Sequence, residues 1–287
     1  MKKILFIMLA LCCAMPIMAQ EVKTHSVYDV NQSGDVTVED VTTVVDQVKK
    51  NVAATQTQQY VTADDLSVLL KSILDDLKQI KIKLGIIPDP YNGHEFVDLG
   101  LPSGLKWATC NVGADNPEDY GDYYAWGETA TKSNYSWSTY KWCNGSSSTM
   151  TKYCTKSSYG TVDNKTTLDP DDDVAHVKWG GDWRMPTRAE QDELRDINNC
   201  TWTWTTQGGK NGHLVTSKKN GNSIFLPAAG SRRGIDLYNA GSNGRYWSSS
   251  LYTSDSNYAY GLTLYSGDVQ SASYPRYYGS AVRPVCP

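Results

Sequence analysis

The chain has 287 residues with a net charge of −4, and its aromatic residues are 9 Trp, 19 Tyr and 3 Phe. This balance lacks the basic excess that binding to a phosphate backbone requires, so we do not expect a nucleic-acid partner. The four histidines stand far apart and show no zinc-hydrolase spacing. Catalysis is therefore the weaker of the functional hypotheses.

The N-terminus has the pattern of a secretory signal peptide. Lys2 and Lys3 precede an apolar run from Ile4 to Met15, and Ala19 supplies a small residue for cleavage. A membrane anchor is the alternative, but the run is shorter than the roughly 20 residues that span a bilayer. We predict a signal peptide over residues 1–19, no membrane span, and a secreted protein of the periplasm or cell surface.

Cleavage leaves five cysteines in an oxidising compartment: Cys110, Cys143, Cys154, Cys200 and Cys286. An odd number leaves at least one thiol free, and the pairing of the others stays open. Cys143 and Cys154 are close enough in sequence to form a disulfide that closes the loop between them.

Residues 29–40 carry oxygen ligands at the spacing of a calcium loop. Side-chain oxygens come from Asp29, Asn31, Ser33 and Asp40, Asp35 offers its backbone carbonyl, and a glycine at loop position 6 permits the sharp turn. With the helix that follows, this pattern resembles the calcium-binding repeat of type I dockerin modules. The expected cofactor is calcium, and the alternative is a polar turn that caps a helix.

A second copy of this repeat has lost its calcium loop. Residues 36–45 align with residues 61–70, but residues 54–60 before the second copy contain neither a carboxylate nor a glycine. The dockerin resemblance implies two calcium loops where a cohesin is bound, so cohesin binding is doubtful. We predict a small all-α structural or spacer module over residues 20–84.

The second helix of this module carries a long apolar stripe, which a linker over residues 85–94 follows. Its members alternate spacings of four and three residues: Leu66, Leu70, Ile73, Leu77, Ile80 and Leu84. The stripe either packs on the valines of the first helix or forms a seam for self-association.

From residue 95 onward, short strand-like runs alternate with Gly, Asn and Ser clusters. Strands are predicted near residues 96–99, 105–109, 223–226 and 260–264. The clearest helix follows Pro186, where Thr187 and Glu190 have the spacing of a capping box and Leu194 and Ile197 share one face.

Six motifs in this part occur in order at residues 95–114, 121–127, 179–187, 226–230, 246–250 and 280–285. Together they resemble the Fibrobacter succinogenes major paralogous domain, a secreted family abundant in gut Bacteroidetes. The resemblance implies an α+β, C-type-lectin-like fold over residues 95–287, in which the first and last strands pair and irregular loops carry recognition.

The motif from Trp183 to Glu190 is also similar to formylglycine-generating enzymes, which supplies an enzymatic alternative. Those enzymes need a close pair of copper-binding cysteines in the C-terminal part, whereas this chain has only Cys286 after Cys200. We therefore expect the motif to position a helix in the core.

Residues 231–287 have the composition of a binding surface. They contain nine Tyr, eleven Ser, six Gly and three Asn, with neither Lys nor Glu. Tyrosine gives a large amphipathic contact area at little entropic cost, and the small polar residues give adaptable hydrogen bonds. The candidate ligand-binding residues, expected on loops around a core-anchoring Trp247, are Tyr238, Arg245, Tyr252, Tyr274, Arg276 and Tyr277.

These observations predict a secreted protein, not an enzyme, that recognises a glycan or a protein surface. A purely structural surface protein is the alternative, and its tyrosines would pack inward. The acidic segment at residues 169–173 is either a second calcium site or a solvated turn.

Overall fold

A computed structural model describes residues 91–287, which belong to one compact unit spanning Lys81–Pro287. The expected signal peptide, the calcium loop from Asp29 to Asp40 and the apolar stripe from Leu66 to Leu84 lie outside the described residues. Within the described part, no helix is long and apolar enough to cross a membrane.

The described residues are mostly β-structure with a few short helices, which agrees with the predicted α+β class. The strands are β1 Phe96–Asp98, β2 Lys106–Ala108, β3 Cys200–Gln207, β4 Lys210–Ser217, β5 Ser223–Pro227, β6 Ser231–Arg233, β7 Asp236–Tyr238, β8 Asn243–Leu251, β9 Tyr258–Tyr265, β10 Asp268–Pro275 and β11 Val285–Cys286. The α-helices are α1 Val174–Trp179 and α2 Arg188–Arg195, and 3-10 turns lie at Trp137–Thr139 and Pro170–Asp172.

Three antiparallel sheets have the orders β1-β2-β11, β3-β4-β5 and β8-β9-β10, and β6 and β7 form a separate hairpin. The last strand shares a sheet with the first two, but it pairs with β2 through Val285 and Trp107. The resemblance implied pairing of the first and last strands directly. Here β2 lies between them.

Two-residue turns with left-handed glycines close two of the hairpins. Gly208 and Gly209, at φ 53° and 78°, join the paired residues Gln207 and Lys210 of β3 and β4. Gly234, at φ 59°, begins the turn between β6 and β7. Such φ values favour glycine, and they match the twist of a tight hairpin.

The capping box of α2 is present as predicted. The Thr187 hydroxyl accepts a hydrogen bond from the Glu190 amide at 3.3 Å, and the Glu190 carboxylate accepts one from the Thr187 amide at 2.7 Å. Leu194 is fully buried. Ile197 is 76% exposed, because α2 ends at Arg195, so the prediction that it shares a helix face with Leu194 was wrong.

Buried tryptophans tie the middle of the chain to β8. The Trp247 indole donates to the Tyr124 carbonyl at 2.8 Å, and the Trp126 indole donates to the Ser248 carbonyl at 2.8 Å. Both rings are at most 1% exposed. Trp247 is a core residue, as expected for an anchor of the fold.

The five described cysteines are unpaired thiols. Cys143 donates to the Trp137 carbonyl at 3.2 Å, and Cys154 donates to the Lys156 carbonyl at 3.1 Å. The disulfide that the spacing of these two cysteines would allow is therefore absent from this structure.

The acidic segment is exposed at Pro170 and Asp171, whereas its other carboxylates are engaged within the domain. Lys152 contacts Asp169 and Asp172 at 2.6 Å each. The Asp173 carboxylate accepts hydrogen bonds from three backbone amides, two of which belong to the first turn of α1. Asp172 and Asp173 are buried, so these contacts hold the segment against the rest of the domain.

Candidate binding surface

The β6–β7 hairpin is attached to the segment that follows β10. The Arg232 amide donates to the Gly279 carbonyl at 2.7 Å, and the Gly279 amide donates to the Arg232 carbonyl at 2.9 Å. This pair of hydrogen bonds places Arg233 beside Tyr278. The hairpin turn itself exposes Ile235 to 72%.

Five residues form an alternating row of rings and guanidinium groups that we call the Arg–Tyr strip: Tyr238, Arg233, Tyr278, Arg245 and Tyr274. The Arg233 guanidinium carbon lies 4.7 Å from the Tyr238 ring centroid and 5.9 Å from that of Tyr278. The Arg245 guanidinium carbon lies 5.9 Å from the Tyr278 centroid and 4.1 Å from that of Tyr274.

Strand register places one end of the strip. Arg245 in β8 is opposite Thr263 in β9, and Tyr274 in β10 is opposite Ala259 in β9. Thr263 and Ala259 are four residues apart, so they share a face of the sheet. The hydroxyls of Tyr274 and Thr263 lie 2.7 Å apart, and Arg245 donates to the Ser231 hydroxyl at 3.1 Å. Both strip side chains are thus held in place without a ligand.

Tyr277 extends the strip toward a tryptophan. Its ring centroid lies 4.8 Å from that of Tyr278 and 4.7 Å from that of Trp137. Burial, together with Tyr278, raises the pKa of Tyr277 to about 12. Its phenol therefore remains a neutral hydrogen-bonding group at physiological pH.

The strip carries two positive charges and has one carboxylate on an adjacent strand: Asp236 lies opposite Arg233 in the β6–β7 hairpin and accepts a hydrogen bond from the Tyr238 hydroxyl at 3.4 Å. Among residues 91–287, no carboxylate lies within ion-pair distance of Arg233 or Arg245, whereas Arg184 pairs with Glu190 at 2.6 Å. The hydrogen bond of Arg233 to the Tyr278 hydroxyl raises the pKa of its guanidinium above the ordinary value. Both strip arginines are permanently charged.

Arg276 was wrongly assigned to a binding loop, because its side chain is fully buried. Its guanidinium donates to the Tyr140 hydroxyl at 2.8 Å and to the carbonyls of Tyr153, Ser256 and Lys152 at 3.0–3.1 Å. These partners satisfy the buried charge without a carboxylate. Arg276 joins separate loops inside the domain.

Tyr252 lies away from the strip. Its ring centroid is 5.2 Å from that of Tyr260, over which the Arg188 guanidinium carbon sits at 4.0 Å. Tyr260 follows Ala259 directly in β9, so it faces the opposite side of the sheet from Tyr274.

Four of the six predicted residues thus come together: Tyr238, Arg245, Tyr274 and Tyr277. Tyr238, Arg245 and Tyr274 lie on strands, which corrects their assignment to loops. Arg233, Tyr278 and Trp137 were not among the residues predicted from the sequence. Arg233 directly precedes a glycine turn and Tyr278 directly follows Tyr277, which were the available signals.

A family model described as a domain of unknown function, DUF8237, matches residues 174–285. This is well under half of the chain, and it includes all five residues of the Arg–Tyr strip. No curated protein and no solved structure matches the chain.

Proposed function

We propose that the chain is a secreted, non-catalytic recognition protein that binds a glycan or protein surface through the Arg–Tyr strip and Tyr277. The observation that carries this proposal is the alternation of guanidinium groups and tyrosine rings on one surface, with no acid paired to either arginine. Tyrosine and arginine are enriched where binding energy concentrates.

The surroundings of the strip suit contact with a ligand. Ile235 is 72% exposed, and Leu237 and Tyr238 are 39% and 38% exposed, so the hairpin offers apolar area next to the charged row. Exposed apolar side chains beside polar ones are typical of interaction sites. The tyrosine rings lose few rotamers on binding.

The finer architecture belongs to the same proposal. We place a C-type-lectin-like domain over residues 95–287, preceded by a dockerin-like module over residues 20–84 that binds one calcium ion. Supporting features are the sheet that joins β1, β2 and β11 and the capped helix after Pro186. The signal-peptide pattern of residues 1–19 supports secretion.

A binding role also fits the chemistry of the motif shared with formylglycine-generating enzymes. Arg184 donates two hydrogen bonds to the Glu190 carboxylate, at 2.8 and 2.6 Å. Glu190 in turn caps α2, and Met185 is buried. These side chains are engaged in holding α2 in place.

The test is a glycan and protein array probed with the full secreted chain. Tyr238→Ala and Arg245→Ala should each remove the binding found for the wild type while leaving the melting temperature nearly unchanged. Tyr252→Ala is the matched control, since it is another half-buried tyrosine of the same segment outside the strip. Its binding should be retained.

Two outcomes contradict the proposal. Binding that survives both strip substitutions places the site elsewhere. Strip substitutions that melt the domain as strongly as Trp247→Ala, which removes a buried ring at a cost of about 3–5 kcal/mol, support the structural alternative instead.

A further inference from the structure

We propose that the ligand of the Arg–Tyr strip is an acidic polysaccharide whose carboxylate or sulfate groups pair with Arg233 and Arg245. This inference rests on the proposed function and names its ligand class. It follows from the charge, the free donors and the rings of the strip.

The strip arginines differ in their charge partners from the arginines in and beside α2. Arg184, Arg188 and Arg195 each lie within 3.4 Å of a carboxylate oxygen. The strip arginines lack such a partner within the described residues, although the whole chain has a net charge of −4. Their guanidinium carbons both lie 5.9 Å from the centroid of Tyr278, so they are separated by no more than twice that distance. An anion between them relieves the repulsion of two like charges.

Most of the hydrogen-bond donors of these arginines remain available. Arg245 donates to Ser231 at 3.1 Å, and Arg233 donates to the Tyr278 hydroxyl at 3.4 Å. A guanidinium has five N–H groups in a planar fork, which suits two-point binding of a carboxylate or sulfate. The tyrosine rings on which they stack hold the forks in fixed positions.

The ligand must also offer faces to the rings between the charges. A polyuronate repeats a carboxylate on every sugar ring, and the apolar face of a sugar stacks on a tyrosine. A nucleic acid also combines rings with anions, but it requires a broader basic surface. Residues 231–287 contain no lysine, and the chain as a whole is acidic.

The experiment compares polygalacturonate with its fully methyl-esterified form, which keeps the sugar backbone and removes the charge. Calorimetry with the full chain should show binding to the acid that is at least about ten-fold tighter than binding to the ester. Raising the salt concentration should weaken it, because exposed charges are screened. Dextran sulfate against dextran tests sulfate as the alternative anion.

Arg233→Gln and Arg245→Gln should each weaken binding to the preferred polyanion about ten-fold. Arg188→Gln is the control: this arginine also lies over a tyrosine ring, at 4.0 Å, but it pairs with Asp192 and lies outside the strip. Its affinity should equal that of the wild type.

Equal affinity for charged and neutral forms, or a single-stranded oligonucleotide that binds more tightly than both polyanions, overturns the acidic-polysaccharide inference. So does failure of both polyanions to bind. If binding of a neutral glycan or a protein from the array is still lost in Tyr238→Ala and Arg245→Ala, the proposed function remains supported although the acidic-polysaccharide inference fails. Polyanion binding that persists in every strip variant overturns both.

Discussion

Replacing Arg276 should destabilise the domain, although this arginine belongs to the same Tyr- and Ser-rich segment as the proposed binding residues. Its guanidinium is fully buried and donates four hydrogen bonds to oxygen atoms. In Arg276→Ala, the buried carbonyls of Tyr153 and Ser256 lose their donors. Each buried group left without a partner costs about 1–3 kcal/mol.

The vacated volume adds to this cost, because the surrounding rings relax only in part. The guanidinium carbon lies 4.9 Å from the Trp126 ring centroid and 5.2 Å from that of Tyr140. Removing a buried charge recovers some desolvation energy, so we expect a net loss of about 3–5 kcal/mol. For a domain of this size that lowers the melting temperature by roughly 10 °C.

Thermal unfolding followed by circular dichroism measures the effect, with urea unfolding as a second measure. Arg245→Ala is the matched control, because its side chain is half exposed and should change stability by no more than about 0.5–1 kcal/mol. Arg276→Lys keeps the charge but cannot reach all four oxygens in one plane, so it should also be destabilised. A melting temperature of Arg276→Ala within about 2 °C of the wild type refutes the reasoning.

Three further predictions concern acid stability, calcium and assembly. Burial raises the pKa of Glu190, but hydrogen bonds from Arg184 and Thr187 outweigh it and hold the pKa below the ordinary 4.5. The contribution of Glu190 to the free energy of unfolding should therefore be fully present above pH 4.5, and it should be lost as the pH falls through the folded-state pKa of Glu190. Glu190→Gln should flatten this dependence in melts across pH, and an equally steep dependence contradicts it. Calorimetric titration should find one tight Ca²⁺ per chain, lost in Asp29→Ala, whereas two comparable sites contradict the single-loop interpretation. Ultracentrifugation should show a dimer or trimer, which Leu77→Asp converts to a monomer. A wild-type monomer at high micromolar concentration would instead indicate that the apolar stripe from Leu66 to Leu84 packs within its own chain.

Local sequence signals predicted local structure well. The capping box needs only Thr187 and Glu190, three residues apart, and both hydrogen bonds are present. The strands near residues 96–99 and 260–264 also form within a residue or two of their predicted positions. The burial of Trp247 agrees with the expectation that its motif at residues 246–250 anchors the fold. In each case the residues that decide the structure are neighbours in the chain.

Other features of the fold were not predicted from the sequence. Ile197 continues the apolar spacing of α2, yet the helix ends before it, and Asp196 adopts an extended backbone conformation. The separation of β1 from β11 by β2 depends on residues more than 150 positions apart. The alternation of tryptophan and threonine in β3 is a strand signal that was overlooked, since both residue types favour strands.

The distinction between Arg245 and Arg276 shows why composition alone could not define the binding surface. Both lie in the Tyr- and Ser-rich segment of residues 231–287, and both lie near tyrosine rings. What separates them is their direct surroundings: carbonyls from two distant loops accept hydrogen bonds from the fully buried Arg276, whereas Arg245 is half-buried and donates to the Ser231 hydroxyl. These surroundings are assembled only when residues from across the domain meet. Composition located the segment that contains the proposed strip, and tertiary packing determines which of its arginines are buried and which stay partly exposed.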